Sequence, residues 1–249
     1  MTQKKKAIIV GATSGIGLEV ARQLTKEGYF VGIAGRRQDI LEAIKQEIDG
    51  IVATACIDIT QKDAGNKLVD FIHEMNGIDL YFHSSGIGYQ NPLLDSQEEL
   101  STVDTNAMGF TRMINAAFHY FAEENRGKGH IAAITSIAGT KGLGAAPAYS
   151  ATKRFQNTYL EALSQLSSMR HYNIVITDIR PGFVATDLLK DDKYPLVMDK
   201  TKVAQHIILA IRHRKSIVTI DWKYRLLVFF WKLIPRYIWT RLNIKTKKI

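Results

Sequence analysis

Tyr149 and Lys153 stand four residues apart in Tyr149-Ser150-Ala151-Thr152-Lys153, and Ser136 lies thirteen positions upstream of the tyrosine. Residues at this spacing on a helix lie one above the other on a single face, so a helix here puts a phenol and an ammonium on one wall. A free phenol titrates at about pH 10 and is a poor acid or base near neutrality. An ammonium a few ångströms away favours phenolate, and a lowering by ~3 pH units corresponds to roughly 4 kcal/mol of differential interaction. Such a pair would exchange protons with a carbonyl or an alcohol. Ser136 follows the apolar run Ile131-Ala132-Ala133-Ile134-Thr135, which reads as a buried strand. A hydroxyl at the carboxyl end of a strand is placed to hold a substrate oxygen, since open α/β sheets receive their ligands there. The alternative is a tyrosine and a lysine that only decorate a helix, because Y-x-x-x-K occurs by chance in many chains.

The surrounding elements decide between these readings. Lys6 to Val10 is a short apolar run, followed by Gly11-Ala12-Thr13-Ser14-Gly15-Ile16-Gly17 and a helical pattern (Leu18, Val20, Ala21, Leu24) that ends before Gly28. Strand, glycine turn and helix present free helix N–H groups to a pyrophosphate, and glycines let the backbone approach it. Gly11, Thr13, Ser14, Gly15, Ile16 and Gly17 are therefore the expected phosphate cradle. The spacing is G-x-x-x-G-x-G rather than G-x-G-x-x-G, so an ordinary glycine-rich turn is the alternative. A second apolar run, Phe30 to Ala34, ends in Gly35-Arg36-Arg37. A carboxylate at this place accepts the ribose 2′-hydroxyl of NAD, whereas a basic residue suits a 2′-phosphate. Gly35 stands where the acid would be, so Arg36 and Arg37 predict NADP(H). Arginines are unfavourable at a helix start, which argues for an anionic ligand over a merely solvated end.

Helix (Asp39 to Ile48), strand (Ile51 to Ile57, with Asp58 ending it), helix (Ala64 to Met75) and strand (Ile78 to Phe82) follow in alternation. Repeated βα units predict a parallel sheet with right-handed crossovers. The fourth strand leads into His83-Ser84-Ser85-Gly86, and Asn106 lies inside a long helical stretch, where an asparagine is unfavourable unless its amide is used. After Ser136 a loop of small residues (Gly139, Gly142, Gly144, Ala145, Ala146) leaves room for a substrate. The Tyr149 helix reaches about Met169, and the strand Ile174 to Ile179 ends in Arg180-Pro181-Gly182-Phe183-Val184-Ala185-Thr186.

Taken in order over about residues 5 to 221, Gly11/Gly15/Gly17, Asp58, Asn106, Ser136, Tyr149/Lys153 and the P-G-x-V-x-T run at Pro181 to Thr186 resemble the short-chain dehydrogenase/reductase family. The resemblance implies an α/β, Rossmann-type doubly wound sheet of about seven parallel strands. It implies that Ser136 polarises a carbonyl, that Tyr149 is the acid, and that Lys153 binds the nicotinamide ribose and lowers the Tyr149 pKa. It further implies that Asn106 orders a water for proton relay. Asp58 and Ile59 would contact adenine, Gly86 would pass close to the ribose, and Pro181, Gly182, Val184 and Thr186 would line the nicotinamide and pyrophosphate. The expected activity is NADPH-dependent reduction of a hydrophobic, lipid-derived ketone or aldehyde. The alternatives are an NADP-dependent alcohol dehydrogenase of a steroid or sugar alcohol and a non-catalytic NADP(H)-sensing protein. A homodimer or homotetramer is expected on the same grounds. The family's usual N-N-A-G is replaced by His83-Ser84-Ser85-Gly86, which predicts altered hydrogen bonding at the central sheet without loss of chemistry.

Composition bounds the rest. A chain of 249 residues with 46% hydrophobic content can bury one substantial core. One catalytic domain is expected over 1–221. Cys56 is the single cysteine, which excludes an internal disulfide framework, and its apolar surroundings predict a small buried thiol. The seven histidines show no metal-ligand spacing, so no metal site is expected. Basic Met1 to Lys6 ahead of Ala7-Ile8-Ile9-Val10 resembles a signal peptide only superficially, because the apolar stretch ends at glycine too early. This reads as the first strand of a cytoplasmic protein.

The formal charge of +9 is uneven: residues 212–249 carry eleven Lys and Arg against the single acid Asp221, whereas residues 1–211 carry 22 basic and 23 acidic groups. In the tail 222–249, Arg225, Lys232 and Arg236 fall in one helical arc opposite a wide apolar and aromatic arc. The run is too broken by charge to span a bilayer, and Pro235 kinks it. A basic, Trp- and Phe-rich amphipathic segment over 222–242 reads as lying on an anionic membrane surface. The alternatives are packing on the protein's own body or across a dimer interface. Nucleic acid is not expected, since the broad apolar arc fits it poorly. Residues 188–198 are expected to close over the substrate or to fold against the core.

Overall fold

The computed structural model describes residues 4–187, 189, 194 and 196–243. Seven strands, β1 Lys6–Val10, β2 Phe30–Gly35, β3 Ile51–Cys56, β4 Leu80–His83, β5 Lys128–Ile134, β6 Asn173–Arg180 and β7 Ile217–Thr219, form one sheet in the order β3-β2-β1-β4-β5-β6-β7. Every pairing is parallel. The strands read as continuous apolar runs because helices cover both faces of such a sheet.

The side-chain alternation of β1 shows this directly. Ile8 and Val10 join a core with Phe110, Met113, Ile114 and Leu160, whereas Ala7 and Ile9 join the opposite core with Val20, Leu24, Leu41, Val203 and Ile207. Successive strand residues point to opposite faces, and each fully buried aliphatic or Phe side chain contributes ~1.5–3 kcal/mol. The helices α1 Gly15–Lys26, α2 Gln38–Glu47 and α7 Lys200–Arg212 therefore lie on one face, and α3 Ala64–Glu74, α5 Phe110–His119 and α6 Pro147–Met169 on the other. Helix α4, Ser96–Val103, leads through a π-helical turn, Asp104–Gly109, into α5.

The chain leaves β1 toward β2 on one side and reaches β4 on the other, so a crevice opens between the carboxyl ends of β1 and β4. There the loops peel apart: Gly11 N–H donates to Ala34 O at 2.8 Å and Ser84 N–H to Val10 O at 2.8 Å.

One expectation needs correction. Cys56 is exposed, not buried; it is the last residue of β3, which is the edge strand of the sheet. Its thiol donates to Arg36 O at 3.6 Å. Of the readings open for the tail, packing on the protein's own body is realised in part. Helix α8, Trp222–Leu233, buries Tyr224 and Val228 beside Ile137, and α9, Arg236–Trp239, buries Trp239, whose indole N–H donates to Gly142 O at 2.7 Å. The apolar arc is thus divided, because one part packs on the body while Trp222, Leu226, Phe229, Phe230 and Leu233 remain exposed. Lys245, Lys247 and Lys248 lie outside the described residues.

Candidate active site

Helix α6 starts at Pro147, a residue preorganised for the first helical turn, and carries Tyr149 and Lys153 on one face. Lys153 Nζ stands 5.7 Å from the centre of the Tyr149 ring. Ser136 follows β5, and its Oγ accepts from Ala138 N–H at 3.0 Å. That leaves the Ser136 hydroxyl proton to donate, and the Ser136 side chain lies close enough to Tyr149 to oppose the rise of its pKa. The three residues therefore meet, as their spacing predicts.

The expected lowering of the Tyr149 pKa is absent. Burial raises it, with Ser136 opposing. Lys153 pays for its own burial instead: its pKa falls to about 8, with Asp178 pulling it upward. Desolvation penalises both charged forms, which favours a protonated phenol.

Asn106 sits in the π-helical turn with its side chain fully used. Its Oδ1 accepts from Ile87 N–H at 2.9 Å, and its Nδ2 donates to Ile87 O at 2.7 Å and Thr152 Oγ1 at 3.3 Å. Its backbone carbonyl, however, accepts from Gln156 Nε2 at 2.8 Å.

The glycine loop fits a bound phosphate group. Gly11 and Gly15 have φ of +86° and +59°, and a methyl group at Gly17 would stand 2.2 Å from Gly11 O. Only glycine folds this way without strain. Ser14 precedes α1 without a side-chain cap, and the first turn has no acidic residue, so its N–H groups remain a positive end for an anion. Arg37 Nη2 donates to Thr13 Oγ1 at 2.6 Å, which ties the arginine pair to the cradle. Arg36 is exposed beside it.

The remaining expected residues border the same crevice with different freedom. Asp58 Oδ1 accepts from Thr60 N–H and Oγ1, and Ile59 is buried against Gly109. Gly86 faces Asn106 Oδ1 and Lys153 Nζ. Thr186 lies against Gly15, and Val184 forms an isolated bridge with Met198. Pro181 O accepts from Ile137 N–H at 3.1 Å. Of the segment 188–198, Leu188, Lys190, Asp191, Asp192, Lys193 and Pro195 lie outside the described residues. Tyr194 stacks near Phe183 at 4.6 Å and hydrogen-bonds Gln90.

His83, standing where the family's asparagine would be, makes its side-chain contacts within β4 and to α5 and not to a neighbouring strand. It is fully buried, its Nδ1 pairs with Tyr81 OH at 2.9 Å, and its ring meets Phe110 edge-on at 5.1 Å. Burial, with Lys153 nearby, drops its pKa to about 3, so the ring is neutral.

Sequence reasoning missed three neighbours of the site. Gln156 is one helical turn from Lys153, a signal that was available. A methyl group at Gly88 would stand 2.5 Å from Tyr149 Cδ2, which only tertiary packing reveals. Tyr224 belongs to the tail, yet its hydroxyl accepts from Phe183 N–H at 3.1 Å and donates to Leu196 O at 3.1 Å.

Residues 5–195 match the family model described as short chain dehydrogenase. An uncharacterized oxidoreductase of Myxococcus xanthus is 31% identical over 198 residues, covering 77% of each chain. Dehydrogenase/reductase SDR family member 7B of Xenopus laevis is 25% identical over 272 residues, covering 99% of this chain and 83% of that one. Among solved structures, a short-chain dehydrogenase from Sphingobium yanoikuyae in complex with NADPH has a TM-score of 0.78 at 19% identity, covering 93% of this chain and 97% of that one. A variant of actinorhodin polyketide ketoreductase with NADPH has a TM-score of 0.76 at 24% identity, covering 87% and 95%. At these identities the structural likenesses speak for the fold.

Proposed function

The chain belongs to the short-chain dehydrogenase family, and on that premise we propose that it is an NADPH-dependent carbonyl reductase acting on a hydrophobic ketone or aldehyde, with lipid-derived carbonyls the first class to test. The observation that carries this reading is the convergence of Tyr149 and Lys153 at the carboxyl end of β5 next to Ser136: Lys153 Nζ stands 5.7 Å from the centre of the Tyr149 ring and donates to Ile134 O. Residues 1–221 act as the catalytic domain, with 222–249 as a tail that leans on it.

When bound, NADPH supplies the hydride. The chain's part is to hold the carbonyl oxygen and to give it a proton. Ser136, its Oγ anchored by Ala138 N–H, donates to that oxygen. Tyr149 then transfers its phenolic proton, and the Lys153 ammonium favours the phenolate left behind. A phenol held protonated by burial suits reduction over alcohol oxidation. Asn106, through both of its amide hydrogen bonds to Ile87, fixes the turn on which Gly86 faces Lys153.

NADP(H) as cofactor is supported by Arg36 and Arg37 at the end of β2 and by the NADPH carried by the two solved neighbours. Thr13, Ser14, Gly15, Ile16 and Gly17 would receive the pyrophosphate, with Asp58 and Ile59 at the adenine and Pro181, Gly182, Val184 and Thr186 along the nicotinamide side. The exposed face of α8, flanked by Lys223, Arg225 and Lys232, supports a second element of the proposal: a cytoplasmic enzyme resting on an anionic membrane surface, where apolar carbonyls concentrate. No helix among the described residues is long and apolar enough to cross a membrane. A homo-oligomer is part of the same proposal.

The test is titration with NADPH and with NADH, followed by a panel of apolar carbonyl compounds with wild type and Tyr149→Phe. Tight NADPH binding by both, with turnover lowered ~100-fold or more in the phenylalanine variant, is expected. Equal turnover by the two proteins would sink the mechanism, and tight binding without turnover of any carbonyl would favour a nucleotide-sensing role.

A further inference from the structure

Gln156 is fully buried, and its amide is occupied at both ends. Oε1 accepts from Lys153 Nζ at 3.0 Å, and Nε2 donates to the Asn106 carbonyl at 2.8 Å. The second bond fixes the first. With Nε2 committed to a carbonyl, the amide cannot flip, because a flip would aim N–H groups at an ammonium and one carbonyl oxygen at another. Asn106 is itself held by Ile87 and by the π-helical turn, a helix irregularity frequent at functional sites. Lys153 Nζ also donates to Ile134 O at 3.3 Å, a longer bond.

We propose that Gln156 is a positioning residue of the proton-transfer site: it locks Lys153 Nζ beside Tyr149 and supplies the acceptor that satisfies the lysine in its ammonium form. The inference rests on reading Tyr149 and Lys153 as the proton-handling pair. An amide does not pass protons along a chain as water does, so Gln156 holds the lysine without connecting it to solvent.

The groups facing Lys153 are few. Tyr149 shares its helix, His83 approaches from β4 as a neutral ring, and Asp178 of β6 acts on it while bound to Arg180 at 2.6 Å. The π-helical turn contributes the Asn106 amide and carbonyl. Gln156 is thus the neutral acceptor in direct contact, and removing it leaves a buried ammonium with one long hydrogen bond.

The experiment follows the Lys153 titration by NMR in the full chain labelled with 13C-lysine, the resonance identified by its loss in Lys153→Arg. Gln156→Leu removes the acceptor and should lower the midpoint by about one pH unit, since a hydrogen bond to a charged group favours that form. Gln156→Glu places a carboxylate at the same distance and should raise it. The basic limb of the reductive kcat profile should move with the midpoint in each variant. Gln156→Met keeps the length without an amide and carries the leucine expectation if the other variants fail to fold. Unmoved midpoints in folded variants would overturn the inference, because a merely structural glutamine changes stability and not this titration. Moved midpoints in a protein that turns over no carbonyl would sink the reductase reading and leave the positioning role standing.

Discussion

The ring of Tyr224 lies across the backbone of Gly182, so close that a methyl group on Gly182 would stand 2.2 Å from Tyr224 Cζ. The tail thereby becomes part of the wall behind the loop that follows β6. The same tyrosine bonds Phe183 N–H, ahead of the segment expected to cover the substrate, and Leu196 O, within it.

Tyr224→Ala should therefore lower stability by about 3 kcal/mol, the typical loss for a buried aromatic, and weaken NADPH binding. Tyr224→Phe should cost only about 1 kcal/mol, the worth of its hydrogen bonds. Thermal unfolding with and without NADPH checks both. An alanine variant as stable as wild type, with unchanged affinity, would show that the contact is incidental.

Arg37 reaches back to Thr13, so the arginine pair and the phosphate cradle form one unit. Arg36→Asp and Arg37→Ala should each cut the ratio of NADPH to NADH affinity by roughly 10- to 100-fold, the size of one or two charge-assisted hydrogen bonds. Thr13→Ala should lower the same ratio less. If NADPH is still preferred equally in all three variants, the phosphate is read elsewhere.

His83 makes stability depend on pH. Its folded pKa is about 3 against an ordinary 6.5. Between these values the unfolded chain takes up a proton that the folded chain refuses, so stability falls as pH falls, by up to ~1.4 kcal/mol per pH unit. His130, lowered to about 4 chiefly by burial, adds to the slope. His83→Asn should flatten the profile of unfolding free energy between about pH 4 and 6.5. An identical slope in wild type and variant would mean that His83 takes up its proton in the folded state as readily as in the unfolded one.

The two faces of α8 separate packing from membrane binding. Phe229 and Phe230 are exposed and Val228 is buried. Phe229→Ser with Phe230→Ser should abolish cosedimentation with anionic vesicles at unchanged thermal stability, whereas Val228→Ser should lower stability. Failure of the wild-type chain to bind such vesicles would leave the tail a packing element only.

The strand runs, the glycine turn and the Tyr149-to-Lys153 spacing were legible because each is local. Helix and strand periodicity fix which residues share a face, and a parallel sheet fixes that strand ends converge. The strand bounds shifted by one residue at β2, β3 and β6, by up to two at β4 and by up to three at β5, where hydrogen bonding rather than apolarity ends a strand. Cys56 shows the limit of apolar content, since it ends a strand at the edge of the sheet and is exposed whatever its neighbours in sequence.

What the sequence alone determined is which chemical groups are present and in what order they reach the sheet's carboxyl edge. Only the tertiary structure decided their electrostatics and their partners. The Tyr149 pKa rises because burial, set by the whole fold, outweighs the lowering by Ser136. The acceptor of Lys153 is Gln156 because a π-helical turn from a distant segment offers it a carbonyl. The tail packs half of its apolar arc because Gly182 leaves room for a ring. Each depends on segments far apart in the chain, and periodicity carries no information about which of them meet.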